Sequence, residues 1–276
     1  MDMTDAAEAT VTSNATVTTE AIGVRRLDTL AQLTAVADLD TLQFMGLDTA
    51  DSAHLAWASA DGAAVALARP EGPEGKIYWL VTNGPGAPTV TLIDAARAEL
   101  GEKLLGLTVP RVAAAEPSLE RALKGWGMRP GDDWDLMIID AAPPEQPGES
   151  AVCTGLSADE VQAFLDRVNP HHSVRGADPS VELWAAIRGE GSGLLAVGAL
   201  TRKRSGVGYL ASIATDPAAR GAGYGSAITA FLTRQVFDAG EPLCTLAHYH
   251  PNDSARRIYL RVGYRTVTQS HSAAFA

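Results

Sequence analysis

Cysteine is scarce in this chain: 276 residues hold two, Cys153 and Cys244. Two thiols supply neither a disulfide framework nor a zinc ligand set, so a reducing compartment is expected and no metal. No apolar run approaches the roughly 20 residues that a membrane-spanning helix needs. The first twenty residues lack a basic start and an apolar block. No secretory signal is therefore expected there, and residues 1–21 read as a disordered tail. The Asn14-Ala15-Thr16 and Asn252-Asp253-Ser254 triplets then have no glycosylation to direct. Positive charge is also short, with 22 Lys and Arg against 33 Asp and Glu for a formal net charge of −11. That balance argues against a nucleic-acid-backbone binder. The expectation is a cytoplasmic protein with neither membrane nor nucleic acid as partner.

What remains is ordinary for a chain that builds a core, with 46% hydrophobic and 20% charged residues. At about 150 residues per domain, the length suggests two domains. Charge is divided unevenly between them: residues 1–150 carry −13 and residues 151–276 carry +2. An anionic ligand would favour the second half.

A Pro-rich polar break, Ala141-Ala142-Pro143-Pro144-Glu145-Gln146-Pro147-Gly148, separates two patterned regions. Residues 142–150 read as a linker between a first domain over 22–141 and a second over 151–276. Both halves run in the same order. Each has an opening strand and helix, the second helix announced by a Ser157/Glu160 capping box. Each then has a strand pair centred on a Trp, at Trp57 and Trp184, and a longer strand, Ile77 to Val81 or Gly208 to Thr215. A Gly-containing loop, a helix, a strand, a short helix and a Gly before a large residue follow. Gly86 to Gly127 spans 41 residues and Gly223 to Gly263 spans 40. Matching order and spacing point to an internal duplication.

The most informative stretch runs from Ile213-Ala214-Thr215 through Asp216-Pro217-Ala218-Ala219 to Arg220-Gly221-Ala222-Gly223-Tyr224-Gly225-Ser226. A strand leads into a Gly-rich turn and then an amphipathic helix. Exposed amides and the positive end of the helix dipole favour an anion there. Three glycines in five residues let the backbone aim successive N–H groups into one concavity. Arg220 stands at the mouth as a fixed cation. The loop has no lysine for a Walker motif, and Ser226 replaces the third glycine of a dinucleotide fingerprint. Arg220, Gly223 and Gly225 do fit R-x-x-G-x-G.

Downstream, Pro251 to Tyr264 reads as a strand end, a capped helix and a C-terminal glycine. Here the sequence resembles the GNAT N-acetyltransferase superfamily, whose signature combines that loop with Asn252, Ala255, Tyr259 and the Gly263-Tyr264 pair. The resemblance implies an α/β protein of two tandem GNAT-like domains, each a mixed, mostly antiparallel sheet flanked by helices. It implies acetyl-CoA as co-substrate. Ile213, Ala214 and Thr215 would run beside the pantetheine arm and polarise the thioester. Arg220, Gly221, Ala222, Gly223, Tyr224, Gly225 and Ser226 would hold the pyrophosphate, and Asn252 would bind the arm. Tyr259 would protonate the departing thiolate, since a phenol of pKa near 10 is protonated at neutral pH.

An alkyl amine must lose a proton before attack, costing about 4–5 kcal/mol at pH 7. No carboxylate lies between Val207 and Thr215, so the base is open among His250, Glu182 and His248. His171-His172 reads as a loop, and Cys244 as a core residue. The first half departs further, with Asn83-Gly84-Pro85-Gly86-Ala87-Pro88 in place of the loop, Glu116 for Asn252 and Leu123 for Tyr259. It reads as a degenerate GNAT domain, in a tandem arrangement similar to that of mycothiol synthase. The expected acceptor is a small-molecule amine, the assembly a monomer or homodimer, and the rival reading a non-catalytic acyl-CoA-binding sensor or scaffold.

Overall fold

The computed structural model describes residues 23–37, 55–71, 75–191, 193–202 and 207–275. The tail expected over 1–21 lies outside the described residues. The first half supplies β1 (Val24–Leu27), α1 (Leu30–Thr34), β2 (Leu55–Ser59), β3 (Val65–Glu71) and β4 (Ile77–Asn83). It continues with α2 (Gly86–Leu100), β5 (Leu104–Pro110), α3 (Arg111–Ala114), α4 (Pro117–Gly125) and β6 (Arg129–Ile139). The second half supplies β7 (Val152–Cys153), α5 (Ala158–Val168), β8 (Val181–Arg188), β9 (Leu194–Arg202) and β10 (Gly208–Thr215). It ends with α6 (Tyr224–Asp238), β11 (Cys244–Tyr249), α7 (Asp253–Val262) and β12 (Arg265–Ala274).

The separate sheet expected for each half is not what forms. All twelve strands join one continuous sheet in the order β1-β2-β3-β4-β5-β12-β6-β11-β10-β9-β8-β7. Pairing is antiparallel except between β4 and β5 and between β10 and β11. The two arms repeat the same order outward from the centre, and each half's last strand has crossed to the other. Strand β12 pairs with β5, Ser270 opposite Pro110 through Ala274 opposite Gly106. Strand β6 pairs with β11, Cys244 opposite Ile139 through Tyr249 opposite Trp134. The exchanged strands then pair with each other.

Helices cover both faces of each arm, so strands are buried on both sides. On β2, Ala56 and Ala58 pack with Leu33 of α1, while Trp57 faces Leu92, Ile93 and Ala96 of α2. On β8, Ala185 and Ile187 face α6, and Trp184 and Ala186 face α5. This is the two-residue alternation of a strand, read twice.

Helix starts follow side-chain chemistry. Ser157 accepts the Glu160 amide at 3.2 Å, a cap worth about 1 kcal/mol. The reciprocal half of that capping box does not form, because the Glu160 carboxylate pairs with Arg188 instead. A full box stands at Thr29 and Gln32. The Pro-rich segment is docked rather than free: Glu149 is buried and ion-paired with Arg234 of α6, and the Gln146 amide donates to Glu149 at 2.7 Å. Breaking a buried pair of this kind costs about 3–5 kcal/mol.

Candidate active site

Strands β10 and β11 pair in parallel for only three residues each, Gly208–Leu210 with Cys244–Leu246, and then separate. A bulge between Ala211 and Ala214 turns β10 at that point, with Ser212 at φ 49°. Bulges recur where a strand must re-aim its backbone, and non-Gly residues at positive φ mark strained sites. The Ser212 hydroxyl fastens the bulge by bonding both the amide and the carbonyl of Val174 at 3.1 Å. Beyond the last pairing, the Ala247 backbone hydrogen-bonds the Tyr209 hydroxyl, whose pKa burial pushes up to about 12.

The gap opens into a cleft of about 510 Å³. Ile213, Ala214 and Thr215 form one wall, and Arg220, Gly221, Gly223, Tyr224, Gly225 and Ser226 form its floor. Asn252 and Tyr259 line the facing wall. Ala222 alone of the expected loop residues is absent from the lining, being exposed on the outer side of the turn.

Gly221 and Gly223 both sit at φ 86°, where an L side chain is strained. Gly223 caps α6 without a side chain, so the first amides of the helix have neither an i−4 partner nor a capping oxygen. Gly225 lies against α7, and an added Cβ would stand 3.0 Å from Ile258 Cδ1. Ser226 is buried, and its hydroxyl has no partner among the described residues. An orphaned donor beside free amides suits a phosphate-bearing ligand. Asp216, at the loop entrance, accepts the Ala218 amide and pairs with Arg167, which together hold its carboxyl below the usual range.

Tyr259 is 7% exposed, and its hydroxyl has no hydrogen-bond partner among the described residues. Burial pushes its pKa above the ordinary phenol value. Asn252 accepts the Ala255 amide at 3.1 Å, so its oxygen caps α7 and its NH2 is left to a ligand. Two cationic cleft residues went unremarked in the sequence, Arg257 and Arg261. Their four-residue spacing, which puts both on one side of α7, was the available signal. With Arg220 they give the exposed rim three cations.

Neither Glu182 nor His250 lines this cleft, and His248 is buried outside its lining. Glu182 lies at the start of β8 and pairs with Arg202 at 2.7 Å. Its strand position is level with Thr201 and Tyr209, at the end of the sheet away from Thr215. His250 is outside the lining and is held at both nitrogens: Nδ1 is 2.7 Å from Asp135 Oδ1 and Nε2 is 2.6 Å from an Arg111 nitrogen. Cys244 is buried against Tyr264, and burial pushes its thiol up to about 12. Among the described residues no group of three or more His, Cys, Asp or Glu is arranged to hold a metal ion, and no helix is long and apolar enough to cross a membrane.

The same place in the first half is closed. Only Gly84 and Pro85 separate β4 from α2, against eight residues from Asp216 to Gly223. Strands β4 and β5 stay paired through Val81 and Thr108. Trp79 Nε1 donates to Thr108 Oγ1 at 2.8 Å, and the Thr82 hydroxyl bonds the Thr108 carbonyl at 3.4 Å. Glu116 fills the start of α2, its Oε2 lying 2.6 Å from where a Cβ on Gly86 would stand.

Solved structures share the architecture. A GCN5-related N-acetyltransferase from Kribbella flavida is 23% identical, with a TM-score of 0.51 over 77% of this chain and 86% of its own. The chain has the GNAT fold. A GCN5-related N-acetyltransferase from Sphaerobacter thermophilus aligns at 18% identity and TM-score 0.50, over 84% of this chain and 82% of its own. A Drosophila protein reaches TM-score 0.55 at 13% identity, over 84% and 82%. The family model described as FR47-like protein matches residues 187–272, which hold the whole Gly-rich loop, α7 and most of β12. No curated protein sequence matches the chain. At these identities the structures establish the GNAT fold, and the cleft has to carry the chemistry.

Proposed function

We propose that the chain is an N-acetyltransferase that moves an acetyl group from acetyl-CoA to a primary amine of a small molecule, by direct transfer in a ternary complex. One observation carries this reading: an unpartnered, protonated Tyr259 hydroxyl and an uncapped Gly-rich helix start line a single cleft. In this reading the second half is catalytic and the first is a degenerate tandem GNAT copy, as in mycothiol synthase. The protein works in the cytoplasm as a monomer or homodimer.

Acetyl-CoA, when bound, supplies an activated thioester on a diphosphate-bearing handle. The amides of Gly221 to Ser226, the Ser226 hydroxyl and Arg220 take the diphosphate, and Arg257 and Arg261 add positive potential for the remaining phosphate. A backbone N–H on the edge of Ile213 to Thr215 that faces away from β9, left without a strand partner where β10 and β11 separate, stabilises charge on the thioester oxygen. The Asn252 NH2 orients the arm. Tyr259 gives its proton to the sulfur as the C–S bond breaks. Direct transfer fits a cleft lined by no cysteine among the described residues, and Cys244 is buried in the core and held protonated.

The test is acetyl-CoA-dependent release of free thiol in the presence of a panel of primary amines. Amine-dependent release supports the reading. Tight acetyl-CoA binding with no release from any amine would instead make the protein an acyl-CoA sensor.

A further inference from the structure

Strands β11, β6 and β12 bring three polar residues side by side at the centre of the sheet. His248 lies directly opposite Asp135 in the register of β11 and β6, and Gln269 lies opposite Asp135 in that of β6 and β12. Asp135 is completely buried. Its Oδ1 meets His250 Nδ1 at 2.7 Å, and its Oδ2 stands 3.4 Å from Gln269 Nε2 and 3.8 Å from His248 Nε2.

The donors settle the proton positions. Arginine only donates, so the Arg111 contact at 2.6 Å makes His250 Nε2 an acceptor and places the ring proton on Nδ1, directed at Asp135. With its lone pair engaged, His250 is unsuited to take a proton from substrate while Arg111 is in place. Arg111 is itself fixed by Asp133 at 3.0 Å, which also holds His271 at 2.7 Å. His248 is different. Its Nδ1 is 2.8 Å from the Tyr249 carbonyl, which only accepts, so Nδ1 carries the proton. Its Nε2 is therefore a lone pair, buried and without a partner among the described residues. That lone pair faces a carboxylate oxygen of Asp135. The ring lies 5.9 Å from the ring of Tyr259, on the stretch of β11 that has left β10.

We propose that His248 is the proton acceptor of the transfer reaction and that Asp135, carried into the second half on the exchanged strand β6, is its positioning residue. The inference rests on the acetyltransferase reading above. An ammonium substrate gives one proton to His248 Nε2 through a bridging water, and the freed lone pair forms the N–C bond. The C–S bond breaks with its electron pair on sulfur, which takes the Tyr259 proton. A second proton from the bonded nitrogen restores Tyr259, the third stays as the amide N–H, and His248 returns its proton to solvent. The groups facing His248 are Asp135 from β6, Gln269 from β12, Tyr259 from α7, and the Tyr249 carbonyl on its own strand; Arg111 of α3 reaches it only through His250 and Asp135. The site of the second half is thus incomplete without the last strand of the first.

The experiment uses the full chain with three amine probes, an aliphatic diamine, an amino sugar and an arylethylamine. His248→Gln is expected to slow acetyl-CoA-dependent thiol release about 100-fold and to abolish the acid limb of the rate profile, with acetyl-CoA affinity kept within about twofold. Asp135→Asn, which takes the carboxylate from the ring, is expected to lower kcat about tenfold with KM for acetyl-CoA unchanged. Nitrogen-labelled histidine spectra of the wild-type chain read the same point without an amine: His248 should carry its proton on Nδ1 in the neutral form, and Asp135→Asn should change the Nε2 signal, since that atom faces the carboxylate. A persistent acid limb in His248→Gln, or a ring proton on Nε2 in the neutral form, overturns the inference. Loss of acetyl-CoA binding by the wild-type chain overturns the acetyltransferase reading instead.

Discussion

Replacing Tyr259 by Phe removes one oxygen from the wall of the cleft and nothing else. That hydroxyl makes no hydrogen bond among the described residues, while its ring packs near Tyr264 and His248, with centroids at 6.2 and 5.9 Å. The aromatic packing survives the change, so unfolding free energy should shift by less than about 1 kcal/mol, the size of one net hydrogen bond. Acetyl-CoA affinity should hold within about twofold, because the hydroxyl is not among the groups that take the phosphates. The reaction loses its proton donor to sulfur. A positioned general acid is worth about 10²- to 10⁴-fold, or roughly 3–5 kcal/mol of transition-state stabilisation. Thiol release at saturating acetyl-CoA, together with calorimetric binding and a urea melt, separates the three effects. A variant that keeps its rate within about threefold would refute the general-acid role. So would a loss fully matched by weaker binding.

The remaining expectations concern the loop and the ionisable core. Gly223→Ala places a side chain at φ 86°, and the strain of about 1–2 kcal/mol is relieved only by turning amides away from the cleft. Losing one or two charge-assisted hydrogen bonds should weaken acetyl-CoA binding at least tenfold, measured by titration. Stability should fall on both sides of neutrality. Cys244 and Tyr209 hold their protons up to about 12 in the fold, against ordinary values of 9.0 and 10.0, so their contribution is whole below pH 9 and is lost as pH rises toward 12. Asp216 and Glu160 are held below the ordinary carboxylate values of 3.8 and 4.5 by Arg167 and Arg188, so their contribution is present above about pH 5 and is lost as pH falls through their depressed values. Urea midpoints across pH 2–12 report both limbs, and a flat profile above pH 9 would contradict the buried thiol and phenol.

Much of the local structure was legible because it rests on local chemistry. Strand β10 ends at Thr215 as its apolar run predicts, Asn252 and Gly263 cap α7, and two of the three glycines that suggest an anion loop, Gly221 and Gly223, stand at positive φ. The exchange of β6 and β12 was not legible. Alternation along Met137, Ile138 and Ile139 buries those residues equally well beside either fifth strand, so the pattern fixes a face and not a neighbour. For the same reason Asp135 gave no sign of its role: its partners His248, His250 and Gln269 are more than a hundred residues away, and only the exchanged register brings them together. Glu182 stood among the candidate bases because no carboxylate lies between Val207 and Thr215, and strand direction puts it at the wrong end. Closure of the first half was legible in Pro85, Pro88 and Glu116, though not the part Trp79 and Thr82 play in tying β4 to β5.

The most direct measurement is a calorimetric titration of the full chain with acetyl-CoA, scored by stoichiometry and repeated on Gly223→Ala. One site per chain, weakened at least tenfold in the variant, is the predicted result. Two sites would mean that the first-half cleft, closed here by Glu116 and the β4–β5 ladder, opens to ligand; no binding at all would contradict the acetyltransferase account.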